Sequence, residues 1–78
     1  MGKGRTRITN HIRQLRFHRN EMTQAELAER IGVTRQTVIA MEQGRYSPSL
    51  EVAFRTALAL DAPITEVFSY DEEPESAD

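Results

Sequence analysis

A chain of 78 residues with 38% hydrophobic side chains is expected to form one small domain, and a chain of this size buries only roughly 60% of its unfolded surface. It has no cysteine, which excludes disulfides and thiolate metal sites; we expect neither a metal nor a cofactor. No apolar run approaches the roughly 18 residues of a membrane span, and the charged N-terminus lacks the apolar segment of a secretory signal. We therefore predict a soluble, cytoplasmic (nucleoid-associated) protein without a membrane partner.

The formal net charge of -2 conceals a segregation of charge along the chain. Lys3 and five arginines precede the first acidic residue, Glu21, whereas five acidic residues crowd the last eight positions. Residues 1–70 consequently carry ten basic and seven acidic side chains. A basic body suits an anionic partner, although an ordinary solvated surface with a disordered tail explains so small an excess equally well.

The N-terminal third predicts an arm followed by a helix. Residues 1–8 contain two glycines and three basic residues with little to bury, which is typical of a flexible basic arm. Thr9 or Asn10 is expected to cap a first helix that frays near Asn20. The apolar residues that recur at helical spacing in this segment are Ile8, Ile12 and Leu15.

Two short helices with clear end signals follow. Thr23 and Glu26 have the spacing of a capping box, which predicts a helix start at Thr23. Gly32 is expected to end this helix, because glycine adopts a left-handed conformation at little steric cost. Thr34 should cap a third helix that ends at Gly44. The predicted inward side chains are Leu27, Ala28, Ile31, Val38 and Met41.

The remaining chain predicts two more helices and a tail. Ser47 or Ser49 is expected to cap a fourth helix after a loop. Its apolar stripe at i, i+3, i+4, i+7 and i+8 consists of Leu50, Ala53, Phe54, Ala57 and Leu58. A last short helix carries Ile64, Val67 and Phe68, and residues 71–78 predict a disordered acidic tail. The fold class is therefore all-α, with five short helices in one domain over residues 9–70.

The spacing around Gly32 favours a helix-turn-helix over a generic helical hairpin. Ala28 lies four residues before Gly32, where a small side chain lets two helices approach closely. Val38 lies six residues after Gly32 and Met41 three further on, on the face that packs back against the preceding helix. The third helix leaves polar side chains on its free face, as a helix that enters the major groove of DNA requires.

Residues Ile12 to Phe68 resemble the Xre/Cro repressor-type helix-turn-helix family. The segments that carry the resemblance are MTQAELAERIGVTRQTV, MEQGRYSPSL and ITEVF. It implies a compact five-helix domain of the lambda-repressor type that regulates transcription. We expect a repressor that binds a palindromic operator as a homodimer. One departure is the segment FHRNEM at residues 17–22, which is about one residue longer than the family's usual link into the second helix.

The free face of the third helix supplies the expected base-reading residues, Arg35, Gln36, Thr37, Ile39 and Ala40. Arginine bonds bidentately to guanine and glutamine to adenine, and the helix N-terminus usually meets the base edges. Thr37 is expected to touch a base or a phosphate. Ala40 and Ile39 suit a thymine methyl group, whereas Ile39 equally suits packing within the protein. Arg35 has the alternative of an ordinary solvated charge.

Phosphate contacts are expected on both sides of this helix. The candidates are Thr23, Gln24, Thr34, Gln43, Arg45, Tyr46 and Ser47. Free backbone N–H groups at the start of the second helix favour an anion, and the resemblance implies that Gln24 meets the DNA backbone. Arg5 and Arg7 are candidates for a neighbouring minor groove, with a disordered basic tail as the alternative. The resemblance also implies a partly buried, structural ion pair between Arg16 and Glu42.

Two rival functions remain. Catalysis is disfavoured, because His11 and His18 lie seven residues apart and no phosphate loop or nucleophile–base arrangement accompanies them. An antitoxin-like or partner-dependent protein-interaction module is the second hypothesis. Val67, Phe68 and Tyr70 form the candidate dimer face, with core packing as the alternative for Val67 and Phe68. No segment is available for an effector domain, so we do not expect a small-molecule effector.

Overall fold

The computed structural model describes residues 6–72. They form five helices and two short strands in the order β1 (Ile8–Asn10), α1 (Ile12–His18), α2 (Gln24–Ile31), α3 (Arg35–Glu42), α4 (Leu50–Leu60), α5 (Ile64–Val67) and β2 (Phe68–Tyr70). The five predicted helices are confirmed. None of the helices in residues 6–72 has the length and hydropathy needed to cross a membrane. Arg5 and residues 73–78 of the predicted tail lie outside the described residues.

A two-stranded antiparallel sheet corrects the all-α prediction. Strand β1 pairs with β2 so that Ile8 lies opposite Tyr70 and Asn10 opposite Phe68. The pairing continues beyond the strands, because the backbone N–H of Asp71 donates to the carbonyl of Arg7 at 2.8 Å. The pairing joins positions about sixty residues apart, so no local sequence pattern predicts it.

The start of α1 also differs from the prediction. Ile8 belongs to β1 and not to the inward face of a first helix, which begins only at Ile12. Asn10 lies just before this start, where its Oδ1 accepts from the Ile12 N–H at 3.0 Å. Its Nδ2 donates to the carbonyl of Met41 at 2.9 Å. Asn10 therefore satisfies one free N–H of α1 and at the same time ties α1 to the end of α3.

The long link between α1 and α2 is accommodated by backbone conformation. Asn20 and Glu21 both adopt left-handed conformations, with φ of 59° and 55°. They reverse the chain so that the Met22 N–H donates to the carbonyl of Arg16 at 2.9 Å and the Met22 side chain enters the core.

The turn between α2 and α3 forms as the sequence predicts. Both bonds of the capping box are present between Thr23 and Glu26. Gly32 follows α2 with φ of 78°, and its N–H donates to the carbonyl of Ala28. Thr34 caps α3 by accepting from the Thr37 N–H. The predicted inward side chains Leu27, Ala28, Ile31, Val38 and Met41 are all buried.

Helix α4 has two apolar faces rather than one. The core-facing side chains are Ala53, Thr56, Ala57 and Leu60. Leu50, Phe54 and Leu58 are exposed, which corrects the prediction of a single stripe. The two small alanines let α4 approach the core closely, whereas the three large side chains lie on a row spaced by four residues and rotated away from it.

Candidate nucleic-acid interface

Helix α3 presents its first turn to solvent. Arg35 and Gln36 are exposed, and the first turn contains no acidic residue. Thr34 fixes this turn, because its Oγ1 accepts from the Thr37 N–H at 3.2 Å and lies 3.1 Å from the Thr37 hydroxyl. Thr37 is half-buried. The capped start of α3 thus holds the backbone of Arg35 and Gln36 in place while their long polar side chains extend into solvent.

A hydrogen-bonded ion pair holds α1, α2 and α3 together at the C-terminal end of α3. The Glu42 carboxylate accepts from Arg16 Nε at 2.7 Å and from Gln24 Nε2 at 3.1 Å. Arg16 also donates to the carbonyl of Met22 at 2.8 Å. The Arg16 and Glu42 side chains are only 14% and 10% exposed, which confirms the expected ion pair. Its second effect is to hold Gln24 at the N-terminus of α2 beside α3.

An open groove of about 750 Å³ lies between α1, the start of α2 and the outer face of α3. It brings together five of the predicted DNA-contacting residues: Thr23, Gln24, Arg35, Ile39 and Gln43. Ile39 is half-buried in its wall. Arg13 and Phe17 of α1 line the same groove and were not among the predicted site residues. The sequence could have indicated them, because Arg13 and Phe17 lie three residues before and one residue after Arg16 and so share one side of a helix with it.

The loop after α3 carries the second group of predicted phosphate ligands. The Arg45 N–H donates to the carbonyl of Ala40, and its Nε donates to Gln43 Oε1 at 2.8 Å. Gln43, Arg45, Tyr46 and Ser47 are all exposed. Gln43 and Arg45 therefore form a joined polar pair at the C-terminal end of α3, with Tyr46 and Ser47 next in the chain.

The remaining predicted sites lie near the sheet. Arg7 is exposed, and its Nη1 donates to the backbone carbonyl of Asp71 at 3.4 Å. Tyr70 is 63% exposed and Phe68 is half-buried. Val67 is fully buried in the core, so its place in the predicted dimer face is corrected: its side chain cannot reach a second chain while the core is intact.

The helix-turn-helix arrangement of α2 and α3 agrees with the comparison to known proteins. The family model HTH_3, described as helix-turn-helix, matches residues 12–67. The chain belongs to this family, of the Xre/Cro type. An uncharacterized HTH-type transcriptional regulator of Methanothermobacter thermautotrophicus is 58% identical to this helix-turn-helix protein over 62 residues, covering 76% of this chain and 90% of the relative.

Two further relatives carry more specific names. The cryptic phage CTXphi transcriptional repressor RstR of Vibrio cholerae is 39% identical over 62 residues, covering 80% of this chain and 55% of the repressor. The restriction-modification controller protein C.AhdI of Aeromonas hydrophila superposes with a TM-score of 0.64 at 33% identity, covering 70% of this chain and 82% of C.AhdI. This helix-turn-helix protein is therefore a member of a family of DNA-binding transcriptional regulators.

Proposed function

We propose that the protein is a sequence-specific regulator of transcription that represses by binding a palindromic operator as a homodimer. The observation that carries this proposal is the start of α3. Arg35 and Gln36 stand exposed on a capped first turn, and Gln24, held by Glu42, lines the same groove as Arg35. A rigid helix end with free guanidinium and amide groups is what reading of base edges in the major groove requires.

Base reading is assigned to the outer face of α3. Arg35 bonds to guanine and Gln36 to adenine, since these side chains match the donor and acceptor pairs of those bases. Thr37, whose hydroxyl lies beside that of Thr34, touches a base or an adjacent phosphate. Ile39 and Ala40 are half-exposed apolar groups that contact thymine methyl groups.

Phosphate binding is assigned to the residues that flank α3. Thr23, Gln24 and Thr34 lie at helix N-termini, where free N–H groups and the helix dipole attract anions. Gln43, Arg45, Tyr46 and Ser47 bind the backbone beyond the other end of α3. These contacts fix the register of the protein without reading sequence. Arg5 and Arg7 are proposed to follow a neighbouring minor groove.

A two-fold dimer on a palindrome places the two α3 helices about 34–36 Å apart, one turn of DNA. The proposed role needs no catalysis, cofactor or small-molecule effector, and it is carried out in the cytoplasm on the nucleoid. Reading by one short helix gives a half-site of only a few base pairs. The second half-site is therefore needed to distinguish an operator from other sequences.

Selection from random duplexes tests this proposal. Purified protein is incubated with a random duplex library at physiological salt, and the bound sequences are amplified, sequenced and titrated. The expected result is a palindromic consensus bound about 10³-fold or more tightly than random DNA. Failure to enrich a sequence, with only weak and salt-sensitive binding, would contradict the proposal and favour a partner-dependent interaction module.

A further inference from the structure

A row of large apolar side chains on α4 has no partner within the described part of the protein. Leu50, Phe54 and Leu58, which we call the α4 ridge, are 71%, 51% and 81% exposed. Their spacing of four residues places them along one line on the helix surface. Single exposed leucines are common, whereas a contiguous apolar row on so small a protein marks an interaction site.

We infer that the α4 ridge is the homodimer interface, and that it packs antiparallel against the α4 ridge of a second copy. The dimer itself is part of the proposed function, on which this inference rests, but that proposal assigns it no complete surface. Of the dimer face predicted from the sequence, Val67 is buried in the core, and Tyr70 is the one largely exposed aromatic side chain.

The ridge has the symmetry that such an interface needs. A two-fold dimer buries the same patch on both copies, so the patch must complement itself. Leu50 and Leu58 lie four residues on either side of Phe54. If the two-fold axis passes beside Phe54, Phe54 of one copy contacts Phe54 of the other, and each Leu50 contacts Leu58 of the other copy. No residue of the ridge is left unmatched.

The charges beside the ridge fit the antiparallel arrangement. Glu51 and Arg55 lie on the same flank and form an ion pair at 3.0 Å, with side chains that are 73% and 50% exposed. They stand three residues before and one residue after Phe54, so the two-fold brings Glu51 of one copy within about 3 Å, along the axis, of Arg55 of the other. In a parallel pair the two-fold runs along the helices, so the Glu51 and Arg55 flanks of the two copies would lie on opposite sides of the interface and would not pair. The antiparallel form therefore gains two cross-chain ion pairs.

A shallow groove lies beside one end of the ridge. Its volume is about 500 Å³, and the apolar residues Ile31, Leu58 and Ala59 line it together with the charged residues Glu29, Arg30 and Arg55. In the antiparallel arrangement, Leu50 of the second copy lies at this end and enters the groove.

The size of the ridge predicts the strength of the dimer. Its three side chains expose roughly 400 Å², about half of the roughly 800 Å² that each partner contributes to a stable interface. We therefore expect an interface that is weak in free solution. Two copies held on adjacent half-sites have a much higher effective concentration, so DNA should strengthen the same contact.

Cysteine cross-linking tests the geometry directly, because the chain contains no cysteine. Phe54→Cys should form a disulfide-linked dimer under mild oxidation. Leu50→Cys and Leu58→Cys should cross-link when mixed and much less when alone. Tyr70→Cys, exposed outside the ridge, is the control and should stay uncross-linked. Cross-linking of Leu50→Cys with itself would indicate parallel pairing, and cross-linking of Tyr70→Cys alone would place the interface at the sheet; either result overturns the inference.

Sedimentation of the wild type and of Phe54→Glu, with Tyr70→Ser as the matched control, measures the interface without a disulfide. Circular dichroism confirms folding, which a change at an exposed position should leave intact. Phe54→Glu should raise the dimer Kd more than about tenfold, whereas Tyr70→Ser should leave it unchanged. A Phe54→Glu variant that dimerises like the wild type, or a wild type that stays monomeric both free and on the duplex, would overturn the inference.

DNA binding separates this inference from the proposed function. Phe54→Glu should bind a single half-site as the wild type does and lose the gain that a second half-site provides. A wild type that dimerises through the ridge but enriches no duplex would contradict the proposed function and leave the interface standing. A palindrome bound equally by wild type and Phe54→Glu would support DNA reading and overturn the interface.

Discussion

Glu42 is the residue whose removal most directly tests the network at the C-terminal end of the recognition helix. Glu42→Ala strands the Arg16 guanidinium, which is 14% exposed and loses its bonds to both carboxylate oxygens. Gln24 Nε2 loses its acceptor as well. Breaking one side of a buried ion pair costs about 3–5 kcal/mol. Arg16 keeps its bond to the Met22 carbonyl, so we expect the lower end, about 3 kcal/mol of unfolding free energy.

The assay is urea unfolding followed by circular dichroism, with thermal melting as a second measure. A loss of about 3 kcal/mol corresponds to a melting midpoint lower by about 15 °C in a domain of this size. Glu42→Gln keeps an acceptor for Gln24 but removes the charge, so it should lose less unfolding free energy than Glu42→Ala. The double variant Arg16→Met with Glu42→Leu should recover most of the loss, because it leaves no stranded charge.

Two results would refute this reasoning. A loss below about 1 kcal/mol for Glu42→Ala would place the pair among ordinary exposed ion pairs. A double variant as unstable as the sum of the two single variants would mean that the two side chains do not act on each other. In either case the network would not be what holds Gln24 beside α3.

Three further changes have defined outcomes. Gly32→Ala forces a side chain into the left-handed conformation at φ of 78° and should cost about 1–2 kcal/mol of stability; an unchanged melting midpoint would contradict this. Thr23→Ala removes one half of the α2 capping box and should cost about 1 kcal/mol in urea unfolding, whereas no change would show the box to be unimportant. Arg13→Ala should weaken enriched and random duplexes alike and lower the salt dependence of binding by about one phosphate contact; a loss confined to the enriched duplex would make Arg13 a base reader.

Local signals in the sequence were sufficient for the helix-turn-helix itself. The capping box at Thr23, the glycine after α2 and the cap at Thr34 act within a few residues, so the sequence pattern identifies them without knowledge of the rest of the fold. The helical spacing of Val38 and Met41 likewise predicted which side of α3 is buried and, by elimination, which side presents Arg35 and Gln36. These side chains are exposed as expected, whereas their contacts with DNA stay a prediction.

Long-range features escaped the sequence analysis for a physical reason. Strands β1 and β2 have three residues each, too short for an alternating pattern, and their pairing depends on the whole chain between them. Helix α4 has apolar residues on two faces, and periodicity alone does not tell which face meets the core. The burial of Val67 and the exposure of Phe54 were decided by how α4 and α5 pack, which only the tertiary structure contains.

The central claim is that α3 reads bases while its flanks hold phosphates, and the ratio of affinities for enriched and random duplexes tests it most directly. Gln36→Ala should reduce that ratio, with a loss of about 1–3 kcal/mol concentrated at one base position. Arg45→Ala should weaken both duplexes alike, flatten the salt dependence and leave the ratio unchanged. Equal losses on enriched and random DNA for Gln36→Ala would contradict the account.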